Sequence, residues 1–161
     1  MSKAANAVPA GYHTITPQLT LDDAAHTIDW YKEAFGAQEG GRSLGPDGKV
    51  MHCELTIGDS KLMVNDVMPG MKGPRALGGS PAAMWIYVND SDALFARAVA
   101  AGGKVQMAMT DHFWGDRAGS LTDPAGYTWW IATRKQDFTP AELRERADAF
   151  FKQAAGAAQH S

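Results

Sequence analysis

One cysteine, Cys53, stands among 161 residues, so the chain closes no disulfide on itself and builds no zinc site from clustered thiolates. No apolar run approaches the ~20 residues that a membrane-spanning helix needs. Basic residues are not in excess either. Fifteen Lys and Arg stand against eighteen Asp and Glu, a net charge of −3, and they form no basic stripe, so nucleic acid is not an expected partner. The first ten residues hold one lysine, one proline and no apolar stretch, which is not a secretory leader. These absences leave a soluble cytoplasmic chain as the expectation, long enough for one domain or two half-domains sharing a core.

What the chain does have is an internal repeat at a spacing of about 67 residues. Leu21-Asp22-Asp23-Ala24-Ala25 leaves an alternating run and enters a helical pattern that stops at Phe35-Gly36. Val88-Asn89-Asp90-Ser91-Asp92 does the same and stops at Ala101-Gly102-Gly103. Under the same shift, the turn at Gly58-Asp59-Ser60 falls on Pro124-Ala125-Gly126, within one residue, and both turns feed a strand.

Between 14 and 21 the residues alternate, with Ile15, Leu19 and Leu21 on one face and Thr16, Gln18 and Thr20 on the other. Pro17 cannot donate to a ladder, so this strand belongs at an edge or a bulge. Asp22 or Asp23 caps the helix that follows, with Ile28 on its inner face. Strands are expected over 37–45, 50–57 and 61–65, the first two joined by the turn Pro46-Asp47-Gly48-Lys49. This is a βαβββ unit. A Pro- and Gly-rich loop over 67–81 leads to a second one, with strands over 82–88, 104–110, 117–122 and 127–133 and a helix over 90–101. Thr139-Pro140-Ala141-Glu142 has the pattern of a helix start, threonine as cap and glutamate at the third position, and the helix is expected to fray from Ala154. The expected organisation is a disordered lead-in over 1–11, modules over 12–66 and 82–134, the linker 67–81, and a C-terminal helix and tail over 135–161.

Paired βαβββ units whose last turn reads Asp123-Pro124-Ala125-Gly126 resemble the vicinal oxygen chelate superfamily of glyoxalases, bleomycin resistance proteins and extradiol dioxygenases. The stretches Gly11-Tyr12-His13-Thr14, Trp30-Tyr31-Lys32-Glu33-Ala34-Phe35-Gly36-Ala37, Pro46-Asp47-Gly48-Lys49-Val50-Met51-His52 and Phe113-Trp114-Gly115-Asp116-Arg117 are similar to its PhnB-like branch. The resemblance implies an α+β fold in which two modules curl a mixed sheet around a shared cavity. It also implies a homodimer. The superfamily's four metal positions map onto Thr16 or Gln18, Met63, Ala83 and Trp130. None is a histidine or a carboxylate, and divalent ions of this kind want oxygen or imidazole donors, so neither metal nor cofactor is expected.

The same mapping lines the cavity with Thr16, Gln18, Thr20, Met63, Asn65, Ala83, Trp85, Tyr87 and Trp130. Aromatic rings with a few amides and hydroxyls suit a flat apolar or aromatic ligand; the alternative is that these rings fill a closed core. His52 and Glu54, two apart on one strand face, are the candidates for acid–base chemistry. They would serve as base and orienting carboxylate, or as ligands of a displaced metal with His13 or His112; otherwise they are a solvated face. In the run from Asp111 to Arg117, Asp116 is expected to cap backbone and pair with Arg117, leaving Trp114 and Arg117 as pocket rim. Cys53 alternates with apolar residues and should be buried and inert, His26 should be exposed, and Glu142–Arg146 should be a solvated helix face.

The function expected from this sequence is metal-free binding of a small molecule, in the manner of bleomycin resistance proteins. The alternative is a lyase, isomerase or transferase working through His52 and Glu54.

Overall fold

The computed structural model describes residues 6–158. Its first strand, β1, is Gln18–Leu21, shorter than the alternation over 14–21 implies. Pro17 is the reason. It has no N–H to give, so the ladder opens with its carbonyl alone, which accepts from the Met63 N–H at 2.9 Å. Upstream of that break Ile15 does not reach the core; it is 85% exposed.

Asp23 caps α1 (Ala24–Phe35) by accepting from the His26 N–H at 3.1 Å, and Gly36 ends the helix in the left-handed region at φ 69°, where glycine costs least. The chain then runs through β2 (Gln38–Leu44), β3 (Val50–Ile57) and β4 (Ser60–Asp66). These form a mixed sheet in the order β1-β4-β3-β2, with β1 parallel to β4 and the other pairs antiparallel. The second half repeats this with β5 (Ala83–Tyr87), α3 (Ser91–Ala100), β6 (Lys104–Asp111), β7 (Asp116–Thr122) and β8 (Thr128–Arg134) in the order β5-β8-β7-β6. Even the register carries over: Gln18 faces Met63 in the first sheet and Trp85 faces Trp130 in the second. The fold is α+β, two βαβββ modules.

The core forms where the helices meet the apolar faces of both sheets. Ile28 on α1 and Phe95 on α3, equivalent under the repeat, are both buried, with Leu19, Leu55 and Val64 from one sheet and Leu121, Trp129 and Ile131 from the other. Burying one such side chain contributes about 1.5–3 kcal/mol. Cys53 lies in this core, and burial pushes its thiol up, away from the reactive thiolate. His26 and the segment 142–146 are exposed as expected.

Polar contacts tie the halves together, one of them from Arg97, whose guanidinium donates to the Ala34 carbonyl at 2.7 Å. Asp123, 4% exposed, accepts from the Tyr31 hydroxyl at 2.6 Å and the Trp129 indole at 2.9 Å. It also takes the backbone N–H groups of Gly126 and Tyr127, which fixes the turn. At the sheet edges, the Tyr127 hydroxyl accepts from the Thr20 N–H at 3.3 Å and donates to the Thr20 carbonyl at 3.2 Å.

The linker over 67–81 is not all loop. It holds a single turn of helix, α2 (Pro74–Leu77), started by Pro74 and ended at Gly78. The last helix, α4 (Pro140–Ala158), runs past the point of expected fraying. Thr139 and Glu142 bond reciprocally at its start: the Thr139 N–H donates to the Glu142 carboxylate at 2.8 Å, and the Glu142 N–H to the Thr139 hydroxyl at 3.3 Å. Residues 1–5 of the expected lead-in and 159–161 of the tail lie outside the described residues. No helix among the described residues is long and apolar enough to cross a membrane.

Candidate functional site

Along β5 the residues alternate between two destinations. Met84, Ile86 and Val88 pack against the core, which turns Trp85 and Tyr87 to the open face of the sheet. Trp130 joins them from β8, its ring parallel to that of Trp85 within 2° and 4.8 Å away. Tyr87 extends the row, 6.0 Å from Trp85. His112 meets Trp130 edge-on at 5.9 Å and is itself stacked at 4.0 Å on Trp114. The result is one continuous aromatic wall whose outer members, Trp85 at 43% and Tyr87 at 58%, remain exposed.

Asp116 organises this wall. Only 2% exposed, its carboxylate accepts from the Tyr87 hydroxyl at 2.9 Å, the Trp114 indole at 3.0 Å and the Arg134 guanidinium at 3.0 Å. The sequence reading, which gave Asp116 to the backbone and to Arg117, is corrected here. Side chains alternate along β7, so Arg117 turns to the other face and pairs with Asp92 at 2.6 Å and Asp111 at 3.2 Å. Arg117 therefore rims a different cavity, of about 720 Å³, between the β6–β7 connection and α4. The tight turn before Asp116 depends on Gly115: φ is 99°, and a Cβ there would sit 2.3 Å from the Gln136 carbonyl oxygen.

Beside the wall runs a groove of about 480 Å³. Thr16, the β3–β4 turn from Ile57 to Leu62, and the edge strand β5 form its sides, and Phe35, Leu94 and Trp129 add apolar lining. Of the residues singled out in the sequence, it brings His13, Thr16, Trp85 and Tyr87 together.

The first sheet presents a different surface. The Gln18 side-chain amide donates to Asn65 Oδ1 at 2.7 Å, and Asn65 Nδ2 donates to the Asp66 backbone carbonyl at 2.9 Å. Asn65 is fully buried, with the Met71 thioether 3.5 Å from its amide nitrogen, so it does not line an open cavity. Met63, half-buried, sits beside Gln18 in the register. Farther along β3, the His52 imidazole is 3.7 Å from the Glu54 carboxylate, both about two-fifths exposed. Tyr12, which the sequence reading passed over, completes this cluster. Burial, and after it the neighbouring Glu54 carboxylate, pushes its hydroxyl up to about 12. The Tyr12 hydroxyl, and then His52, hold the Glu54 carboxyl below the usual range. Lys61 carries its ammonium 5.8 Å over the Tyr12 ring. This cluster lies on one sheet, and the aromatic wall on the other.

The family model described as the Glyoxalase/Bleomycin resistance protein/Dioxygenase superfamily matches residues 12–131. The chain belongs to this superfamily. An uncharacterized protein of Mycobacterium bovis is 45% identical over 146 residues, covering 88% of this chain and 93% of its own length. The X-ray structure of a gene product from Arabidopsis thaliana superposes with a TM-score of 0.62 at 29% identity, over 77% of this chain and 99% of that one. TnmS3, an antibiotic binding protein from Streptomyces sp. CB03234, shares the fold with a TM-score of 0.61 at 21% identity, over 79% and 99%.

The superfamily's metal positions can be tested on these side chains. Of the two alternatives for the first position, Thr16 lines the groove and Gln18 has its amide on Asn65; Met63 offers a thioether, Ala83 has no donor, and Trp130 lies flat on Trp85. That set does not fit a divalent ion bound by oxygen or imidazole. Among the described residues, no three His, Cys, Asp or Glu side chains converge elsewhere. His112 is on the opposite sheet from His52, against Trp114.

Proposed function

We propose that this superfamily member is a metal-free binder of small molecules, holding a flat aromatic ligand against the wall of Trp85, Tyr87 and Trp130. The observation that carries the reading is the parallel Trp85–Trp130 stack on an open sheet face, with Trp85 43% exposed. Rings needed only for core would turn inward, as Trp129 does at 3% exposure. Exposed parallel rings with polar neighbours are what a planar ligand requires. Thr16 supplies a polar group in the groove beside the wall, and TnmS3, which has the same fold, is named for binding an antibiotic. The protein acts as a homodimer in the cytoplasm in this reading.

Titration with flat aromatic compounds should quench tryptophan fluorescence saturably, and Trp130→Ala should weaken that binding. Failure of every planar aromatic tested to bind the folded protein would sink the proposal. A second reading has its own observation, the Tyr12–His52–Glu54 cluster, in which the carboxylate is held ionised beside an imidazole 3.7 Å away. An enzyme of lyase, isomerase or transferase type using that cluster would lose turnover in His52→Gln while still binding ligand at the wall.

A further inference from the structure

One departure from the repeat lies in the groove. In the first sheet, the Pro17 and Leu21 carbonyls accept from Met63 and Val67 of the β4 segment. Successive residues of a strand point their backbone groups to opposite sides, so Gln18 and Thr20 turn theirs away from β4. At Thr20 both groups are taken up by one phenol, the Tyr127 hydroxyl, which accepts from the N–H and donates to the carbonyl.

The second sheet has the matching geometry without the matching phenol. Register equates Gln18 with Trp85 and Met63 with Trp130, which sets Tyr87 where Thr20 stands and Ser60 where Tyr127 stands. Val88 donates to Ala132 of β8 at 2.9 Å, so the Tyr87 N–H and carbonyl turn the other way, off the sheet edge. Among the described residues, they have no protein partner. Ser60 is too short to imitate Tyr127, and its hydroxyl donates to Asp59 at 2.9 Å. Ser60 and Tyr87 both line the groove, with Phe35, Ile57 and Leu94 as its apolar part.

We infer that the groove takes a phenolic aromatic compound whose hydroxyl bonds the Tyr87 backbone as Tyr127 bonds that of Thr20. The inference rests on the aromatic-ligand reading above and names the class of ligand. A neutral phenol presents a donor and an acceptor on a single atom, which is what adjacent edge N–H and C=O groups need. An aryl ether presents only the acceptor, and a hydrocarbon neither. At about 480 Å³ the groove has room for a ligand of two or three fused rings.

The full chain is titrated by calorimetry with 2-naphthol, 2-methoxynaphthalene and naphthalene, and the backbone amides are followed by NMR. We expect 2-naphthol to bind at least tenfold tighter than either analogue and to shift the Tyr87 amide. Ser60→Tyr, which supplies the missing ring from the chain itself, should lose tenfold or more of the 2-naphthol affinity. Equal affinity for the naphthol and its ether, with the Tyr87 amide unmoved, overturns the phenol inference and leaves the aromatic wall standing. No binding by any of the three overturns both. If Ser60→Tyr does not fold, the ligand series and the amide shift on the unaltered protein still decide.

Discussion

Trp130 lies flat on Trp85, 2° from parallel with ring centroids 4.8 Å apart, and the two are register partners on adjacent parallel strands. Cross-strand neighbours on one face of a sheet are held within a few ångströms by the backbone itself, so the stack is built in before any ligand arrives. Such a pair contributes about 0.5–1.5 kcal/mol beyond its buried area.

Trp130→Ala should therefore weaken binding of a flat aromatic by about 1–3 kcal/mol, the value of one aromatic contact surface, as read by fluorescence titration. Its effect on stability should be smaller than the roughly 3–5 kcal/mol of a fully buried tryptophan, because the side chain is only half-buried. A core-sized loss of stability with unchanged binding would make Trp130 packing and nothing more.

Asp116→Ala should be costlier for the fold than Trp130→Ala. It strands the Tyr87 hydroxyl, the Trp114 indole and the Arg134 guanidinium around a 2% exposed position. Hydrogen bonds to a charged acceptor contribute about 1.5–3 kcal/mol each, and they act here as one network, so a total of roughly 2–4 kcal/mol is expected by urea unfolding.

Tyr127→Phe keeps the ring and removes the one atom that bonds both Thr20 backbone groups. The expected loss is about 1–3 kcal/mol, with faster hydrogen exchange at the Thr20 amide. An unchanged Thr20 exchange rate would mean that this edge is held by something other than the phenol.

Acid should weaken the protein partly through Glu39. The Arg42 guanidinium, and after it Lys32, lower its carboxyl from 4.5 to about 2. A depressed carboxyl contributes stability above its unfolded value and loses it as pH falls toward the folded one, so the contribution fades between about pH 4.5 and 2. The site is solvent-accessible, so the effect is modest. Glu39→Gln should flatten that part of the melting temperature–pH curve, and an unaltered slope would count against it.

The repeat, and with it both sheets, was legible because strand alternation and helix caps recur at one spacing. Trp85, Tyr87 and Trp130 came to one face through the superfamily resemblance, by the mapping of its cavity positions onto this chain. Period-two patterns assign a side and assign no partners. Asp116 meets its partners at sequence separations of 2, 18 and 29 residues, a convergence that no local pattern encodes. Met71 covers Asn65 from an aperiodic loop, and Tyr12 stands near Glu54 from ahead of the first strand, where no periodic pattern assigns its side chain a place. Ile15 failed for an opposite reason: its alternation was genuine, and one missing N–H at Pro17 cancelled it.

The carboxylate of Asp123 has a bearing on how this chain comes apart. It belongs to the second module, yet one of its bonds comes from Tyr31 in the first, in a cluster where the Tyr31 and Phe35 rings also meet Trp129. Neither half can separate without exposing a buried charge and an open core, so the two copies should melt in a single cooperative step. Half of this duplicated chain, expressed alone, would not be a small stable protein.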